Sequence, residues 1–349
     1  MKKFIFSLLF LSFSLQSLTP MRCCYPVAAT IKGGQTCVFY LDQQSLQCLQ
    51  LWEVNPHGCS DPNKALMFIY SPSSISLLPS QRGFGFIDRG RIKMKSFIKR
   101  SPHSLDFYEP IYNITRAQWI DDEHCYFSAK QDSRYKLFIS DLEGELDVLV
   151  DTEGADIVYP SHVGDSIYYL SKDTKEGINL FRIDRNSNEV DCVMPLGRKN
   201  VAFLEMRSGT EGFFVQAPFS IDTEADNLEL EYYRIYLDGE WKLEKLFSFT
   251  LPTHYLFGKG PERFYESLMA FLPKAHEDEI LFSSLLDAYV DIFTYNRVSR
   301  RVLPILEDRV EFDRFGAMEY HGEIYYGRTV RGDTDYDEMP DFVSVESHK

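Results

Sequence analysis

The residues best suited to chemistry in this chain are acids. Residues 331–341 read RGDTDYDEMPD, with Asp333, Asp335 and Asp337 alternating and Glu338 and Asp341 close behind. Carboxylate oxygens at this density are the hard ligands that Ca2+ takes. The glycine that gives an EF-hand loop its sharp turn is missing. The segment therefore reads either as a calcium-holding loop on Asp333, Asp335 and Asp337 or as a solvated acidic loop. A second acidic stretch, APFSIDTEADNLE at 217–229, separates the apolar runs GFFVQ and LEYYRIYLDG. Long loops on rigid scaffolds often carry binding, so its Asp222, Glu224 and Asp226 are candidate partner-binding residues.

Nucleophilic and cofactor chemistry finds little support. There is no G-x-S-x-G elbow, H-E-x-x-H pair, P-loop or S-x-D-x-G-x-T-W box. The eight His are scattered. His124 and His162 fall in adjacent repeats, and they could share a metal with Asp121 only if both imidazoles met at a common axis. No catalytic residue and no organic cofactor are assigned; calcium is the one candidate.

The net charge of −15 repels phosphate backbones. The one basic cluster, RGRIKMKSFIKR at 89–100, alternates charge with apolar residues and reads as a solvated strand face. Nucleic acid is therefore not an expected partner. At the amino end, Lys2 and Lys3 precede a twelve-residue apolar run, FIFSLLFLSFSL at 4–15. That is the pattern of an export signal and short for a membrane span. Residues 1–17 are read as the signal and 18–349 as one domain; an uncleaved anchor is the alternative. No other stretch reaches eighteen apolar residues, so no span is expected after cleavage. Of seven Cys, five lie in 23–59, and Cys37 and Cys48 could pair if their strands are neighbours.

The elements that would position these residues show in a repeated phrase. CYFSAKQDSRYKLFISD at 125–141 and IYYLSKDTKEGINLFRID at 167–184 align as apolar strand, polar turn and second strand closed by Asp. This is a β-hairpin signature. Further copies follow at 36–55, 83–97, 212–239, 279–297 and 323–345, making seven candidate hairpins. Only 262–272, ERFYESLMAFL, has spacing that suits a short helix. A repeat of this length points to an all-β propeller, in which stacked blades bury each other's faces. Seven four-stranded antiparallel blades are expected, six being the alternative. VAATIKG at 27–33 is expected to complete the blade that holds the carboxyl end.

The phrase YPSHVGDSIYYLSKDTKEGINLFRIDRNSN at 159–188 resembles the WD40-like repeat of TolB-type propellers. Pro160-Ser161 matches its start, Val163-Gly164-Asp165 its first turn, Ser171-Lys172-Asp173 its polar turn and Asp184 its closing acid. The copy at 117–144 keeps Asp121-Asp122 at the turn and ends in DLEG. The resemblance implies a periplasmic or secreted propeller that binds envelope protein partners. The expected function is a non-enzymatic, monomeric scaffold holding an unidentified partner, with acidic loops favouring a basic one. The alternative is an enzyme or binder acting on a carbohydrate or other small molecule in the central channel, which requires His, Asp, Arg and aromatic residues gathered at one mouth of the axis.

Overall fold

A computed structural model describes residues 24–32, 35–42, 45–50, 65–68, 72–97, 101–152, 154–173, 177–220, 222, 225–257, 264, 268–306, 313–328 and 345–348. The proposed signal segment, 1–17, lies outside the described residues. The chain is a β-propeller whose sheets are each built from consecutive antiparallel strands. The first holds β1 (Cys24–Lys32), β2 (Gln35–Asp42), β3 (Ser45–Gln50) and β4 (Ala65–Phe68); the second holds β5 (Pro72–Leu77), β6 (Gly83–Asp88), β7 (Arg91–Ser96) and β8 (His103–Ser104). The third holds β9 (Tyr112–Trp119), β10 (Cys125–Gln131), β11 (Arg134–Ser140) and β12 (Leu146–Val150). The fourth holds β13 (Ala155–Val163), β14 (Ser166–Asp173), β15 (Gly177–Asp184) and β16 (Val190–Gly197). The fifth holds β17 (Asn200–Ser208), β18 (Glu211–Ala217), β19 (Asn227–Asp238) and β20 (Glu240–Pro252). A short helix, α1 (Thr253–Phe257), and a 3-10 turn at Met269–Phe271 lead to β21 (Lys274–His276), β22 (Glu279–Leu286), β23 (Tyr289–Asn296) and β24 (Arg301–Pro304). The last sheet holds β25 (Arg314–Tyr320), β26 (Glu323–Arg328) and β27 (Val345–His348).

Each hairpin anticipated from the repeat forms the β2–β3, β6–β7, β10–β11, β14–β15, β18–β19, β22–β23 or β26–β27 pair. Its first strand is buried on both faces: β6 and the first five residues of β10 are wholly buried. That is why these strands read as continuous apolar runs rather than alternating ones. Of the outermost strands, β24 is exposed along its whole length. The turns follow backbone chemistry. Arg89 and Gly90, with φ of 50° and 72°, form a two-residue connection of the kind that matches strand twist.

The core lies between the sheets. Tyr126, Leu137 and Val150 pack on Ile157, Ile167 and Tyr169, joining the third sheet to the fourth. Val158 and Leu170 pack on Val201, Leu204 and Phe214, joining the fourth to the fifth. Ala29, Val38 and Tyr40 of the first sheet pack on Tyr325 of the last, which closes the ring. The first strands of successive sheets, β5 with β9, β9 with β13, β13 with β17 and β25 with β1, adjoin one another and so surround the axis.

Three expectations are corrected. The ring is not made of seven, or six, four-stranded blades: among the described residues five sheets are complete four-stranded blades, the second ends in a strand of two residues, and the last has three strands. Pro102 has no N–H to give a ladder, and the paired part of β8 starts only after it. The amino-terminal strand does not complete the carboxyl-terminal blade, because β1 pairs with β2 in its own sheet. Cys37 is a buried free thiol; it faces Gln50 across the β2–β3 ladder, while Cys48 faces Phe39. Of the suggested 262–272 helix, residues 269–271 form the 3-10 turn, and most of the preceding residues lie outside the described ones.

Candidate functional site

Antiparallel order sorts the connections to two ends of the ring. First-to-second and third-to-fourth strand turns share one end, here the upper. Second-to-third turns and the links between sheets share the other, the lower.

The upper end carries a polar cluster close to the axis. Arg116 on β9 donates through Nη1 to the Leu204 carbonyl on β17, and its guanidinium stacks 4.4 Å from the Phe203 ring. The β13–β16 sheet stands between those two strands, so the side chain passes along the free inner edge of β13. Burial lowers the Arg116 pKa, while Glu205 favours the charge; among the described residues no carboxylate forms an ion pair with it. Two residues on, Gln118 Oε1 accepts from the Tyr126 hydroxyl and, at 3.2 Å, from the His162 backbone N–H. The rings of Tyr126 and His162 lie 5.8 Å apart. His162 Nε2 is shut off from solvent and has no hydrogen-bond partner among the described residues. Burial first, and then Arg185, hold the His162 pKa below its usual value, partly offset by the Gly164 backbone and Asp165. Arg185 sits in the turn after β15, where its N–H donates to the Asp165 carbonyl at 2.9 Å.

The lower end shows aromatic rings to solvent. Tyr108 is 92% exposed in the link between the second and third sheets, and Phe219 is 71% exposed in the β18–β19 connection. Leu105 is buried and Phe107 packs against the same core, pinning the backbone that displays Tyr108. Asp222 and Asp226 stand exposed beside Phe219, and the Asp226 carbonyl accepts from the Thr253 N–H at 2.9 Å, tying the loop to the start of α1. Glu224 lies outside the described residues, as do Asp333, Asp335 and Asp337. Among the described residues no group of three or more His, Cys, Asp or Glu is placed to hold a metal ion. His124 and His162 do not share a site: His124 Nδ1 lies 3.0 Å from the carboxylate of Asp121 in its own exposed turn. Burial pushes Asp121 up, but the N–H groups of Glu123 and His124 and the His124 ring more than offset it, so its pKa is lowered.

The upper cluster joins His162, singled out in the sequence, to Arg116, Gln118, Tyr126 and Arg185, which were not. Their types are ordinary for strands, and nothing local marks them; only the meeting of β9, β13 and β17 around one axis does. Among the described residues no helix is long and apolar enough to cross a membrane.

No family model matches the chain, and no curated protein matches it. Solved structures do. A structure from a study of two prolyl endopeptidases is 11% identical, over 88% of this chain and 45% of that one, with a TM-score of 0.52. A putative TolB from Agrobacterium tumefaciens is 16% identical over 66% of this chain and 90% of that one, TM-score 0.46. TolB from Acinetobacter baumannii is 10% identical over 81% of this chain and 62% of that one, TM-score 0.47. The chain thus spans about half of the endopeptidase chain, and the likeness to it is one of fold.

Proposed function

We propose that this chain is an exported, monomeric and non-enzymatic propeller that holds a protein partner at the cell envelope, in the periplasm or outside the cell. The partner docks on the lower end. The observation that carries this reading is the pair of large aromatics, Tyr108 and Phe219, displayed to solvent on connections anchored in the core. Such rings supply much of the energy of protein interfaces when a partner buries them. Asp222 and Asp226 beside them favour a basic partner and its rapid encounter. Lys2, Lys3 and the apolar run at 4–15 support export. Asp333, Asp335 and Asp337, which lie between β26 and β27 in the sequence, would add a calcium-dependent contact.

The test is affinity capture from solubilised envelope, with the chain from Leu18 as bait, run with chelator and with added Ca2+. One stoichiometric protein is expected, and Tyr108→Ser with Phe219→Ser is expected to lose it. Chelator sensitivity assigns the calcium role to 331–341. Retention of no protein above background in either condition contradicts the scaffold reading.

A further inference from the structure

We propose that residues 268–272, in the link between the fifth and sixth sheets, act as a clasp: they reach beyond the sixth sheet to hold the last sheet against the first, and so keep the ring shut. This goes beyond partner docking and rests on different residues.

The first observation concerns the seam itself. The two ends of the ring share no blade: β1 pairs with β2 in its own sheet, and β25, β26 and β27 make up the last. Among the described residues no strand ladder crosses from the last sheet to the first. The seam is packed by apolar side chains, Tyr325 against Ala29, Val38 and Tyr40. A ring closed in this way can open at the seam without breaking a ladder.

The second observation is Gly316 on β25. Its φ is 67°, in the left-handed region that glycine enters without cost. Phe315 faces Gly327 and Met318 faces Tyr325, so Gly316 and Ala317 share the place opposite Tyr326 and make a bulge. A side chain would also find no room. A Cβ built on Gly316 would lie 2.6 Å from the Tyr25 Cβ on β1 and 3.1 Å from the Ala270 carbonyl oxygen. Three separate parts of the chain therefore meet here: the first sheet, the last sheet and the link.

The third observation is the anchoring of the link. Ala270 and Phe271 are buried in the 3-10 turn. With Leu268 and Leu272 they join the apolar cluster that includes Phe249 of β20 and Ile280 of β22, and Tyr25 packs against that cluster. Tyr255 of α1, in the same link, has its ring centroid 5.5 Å from that of Phe271 and gives its hydroxyl to Asp313, which directly precedes β25. Asp313 also accepts the Val290 N–H of β23 at 2.7 Å. The turn is already fixed by the fifth and sixth sheets, so its contact with Tyr25 and Gly316 costs little further chain entropy.

The experiment is hydrogen exchange of the whole chain, read peptide by peptide by mass spectrometry, in the unaltered protein and in Phe271→Ala. Amides of β1–β2 and β25–β26 are expected to exchange about tenfold faster or more, while those of β10–β11 and β14–β15, on the far side of the ring, keep their rates. Tyr25→Ala should give the same pattern, and the double variant should show less than the combined effect of the two single ones. If Phe271→Ala does not fold, Phe271→Leu, which keeps an apolar side chain, carries the same comparison. Acceleration confined to the fifth and sixth sheets, acceleration spread evenly over every sheet, or unchanged rates at the seam overturns the proposal.

Discussion

At the scale of single residues, the repeat's fixed positions have physical tasks. The Ser161 hydroxyl, in the Pro160-Ser161 start, accepts the Met206 N–H at 2.8 Å and so ties β13 to β17 in the next sheet. Ser74 does the same between β5 and β9, donating to the Ala117 carbonyl at 3.0 Å. Ser161→Ala would orphan a buried N–H and is expected to lower stability by about 1–2 kcal/mol in denaturant titration. The closing acid is equally explained. Asp184 accepts from the N–H groups of Asn186 and Ser187, at 2.9 Å and 3.0 Å, and Asp141 from Glu145 at 2.9 Å, so each closes the turn after its strand. The closing acids could be read from the repeat because their contacts are local. The upper cluster could not, since Arg116 finds its acceptor 88 residues away. Lys172 gives a pH prediction. Its ammonium lies 4.9 Å from the Tyr159 ring and donates to the Val201 carbonyl at 3.3 Å. Burial lowers its pKa from 10.5 to about 8, against the pull of Asp156. The unfolded chain then binds more protons between those two values, so stability rises as pH climbs through that window. The Lys172→Met variant should lack this rise when the two unfolding curves are subtracted.

At the scale of elements, burial on both faces explains why the hairpins were legible. Runs such as CYFSA and GFFVQ are largely apolar, and they recur. What was not legible is strand length. β19 and β20 extend to 12 and 13 residues, while β8 has two. Length depends on how far the neighbouring strand runs and on whether a proline intervenes, and the apolar pattern records neither. Close approach between sheets was also hidden. A Cβ built on Gly85 of β6 would fall within the indole of Trp119 on β9. Gly85→Ala is expected to destabilise by about 3 kcal/mol, because an overpacked sheet interface must shift backbone or ring. Thermal unfolding followed by Trp fluorescence would show both the lower midpoint and a changed indole environment.

At the scale of the whole molecule, stability depends on the seam between first and last sheets. Tyr325 is buried there against Ala29, Val38 and Tyr40, and its hydroxyl donates to Glu323 at 2.6 Å. Removing the ring in Tyr325→Ala should cost about 3–5 kcal/mol by calorimetry. The net charge of −15 adds self-repulsion across the ring. Raising NaCl from about 0.01 M to about 0.15 M shortens the screening length from about 30 Å to about 8 Å, and the melting temperature should rise. The blade count was the least legible feature, since two of the sheets depart from the four-stranded unit that the repeat implied. The topology also sets a timetable. Every sheet is assembled from strands that follow one another in the chain, and among the described residues none borrows a strand from elsewhere. A polypeptide that emerges amino end first, from a ribosome or from a narrow pore, can therefore finish each sheet as it is delivered. Nothing near the start has to wait, half made, for the tail to arrive, and the last event is a docking of two completed surfaces.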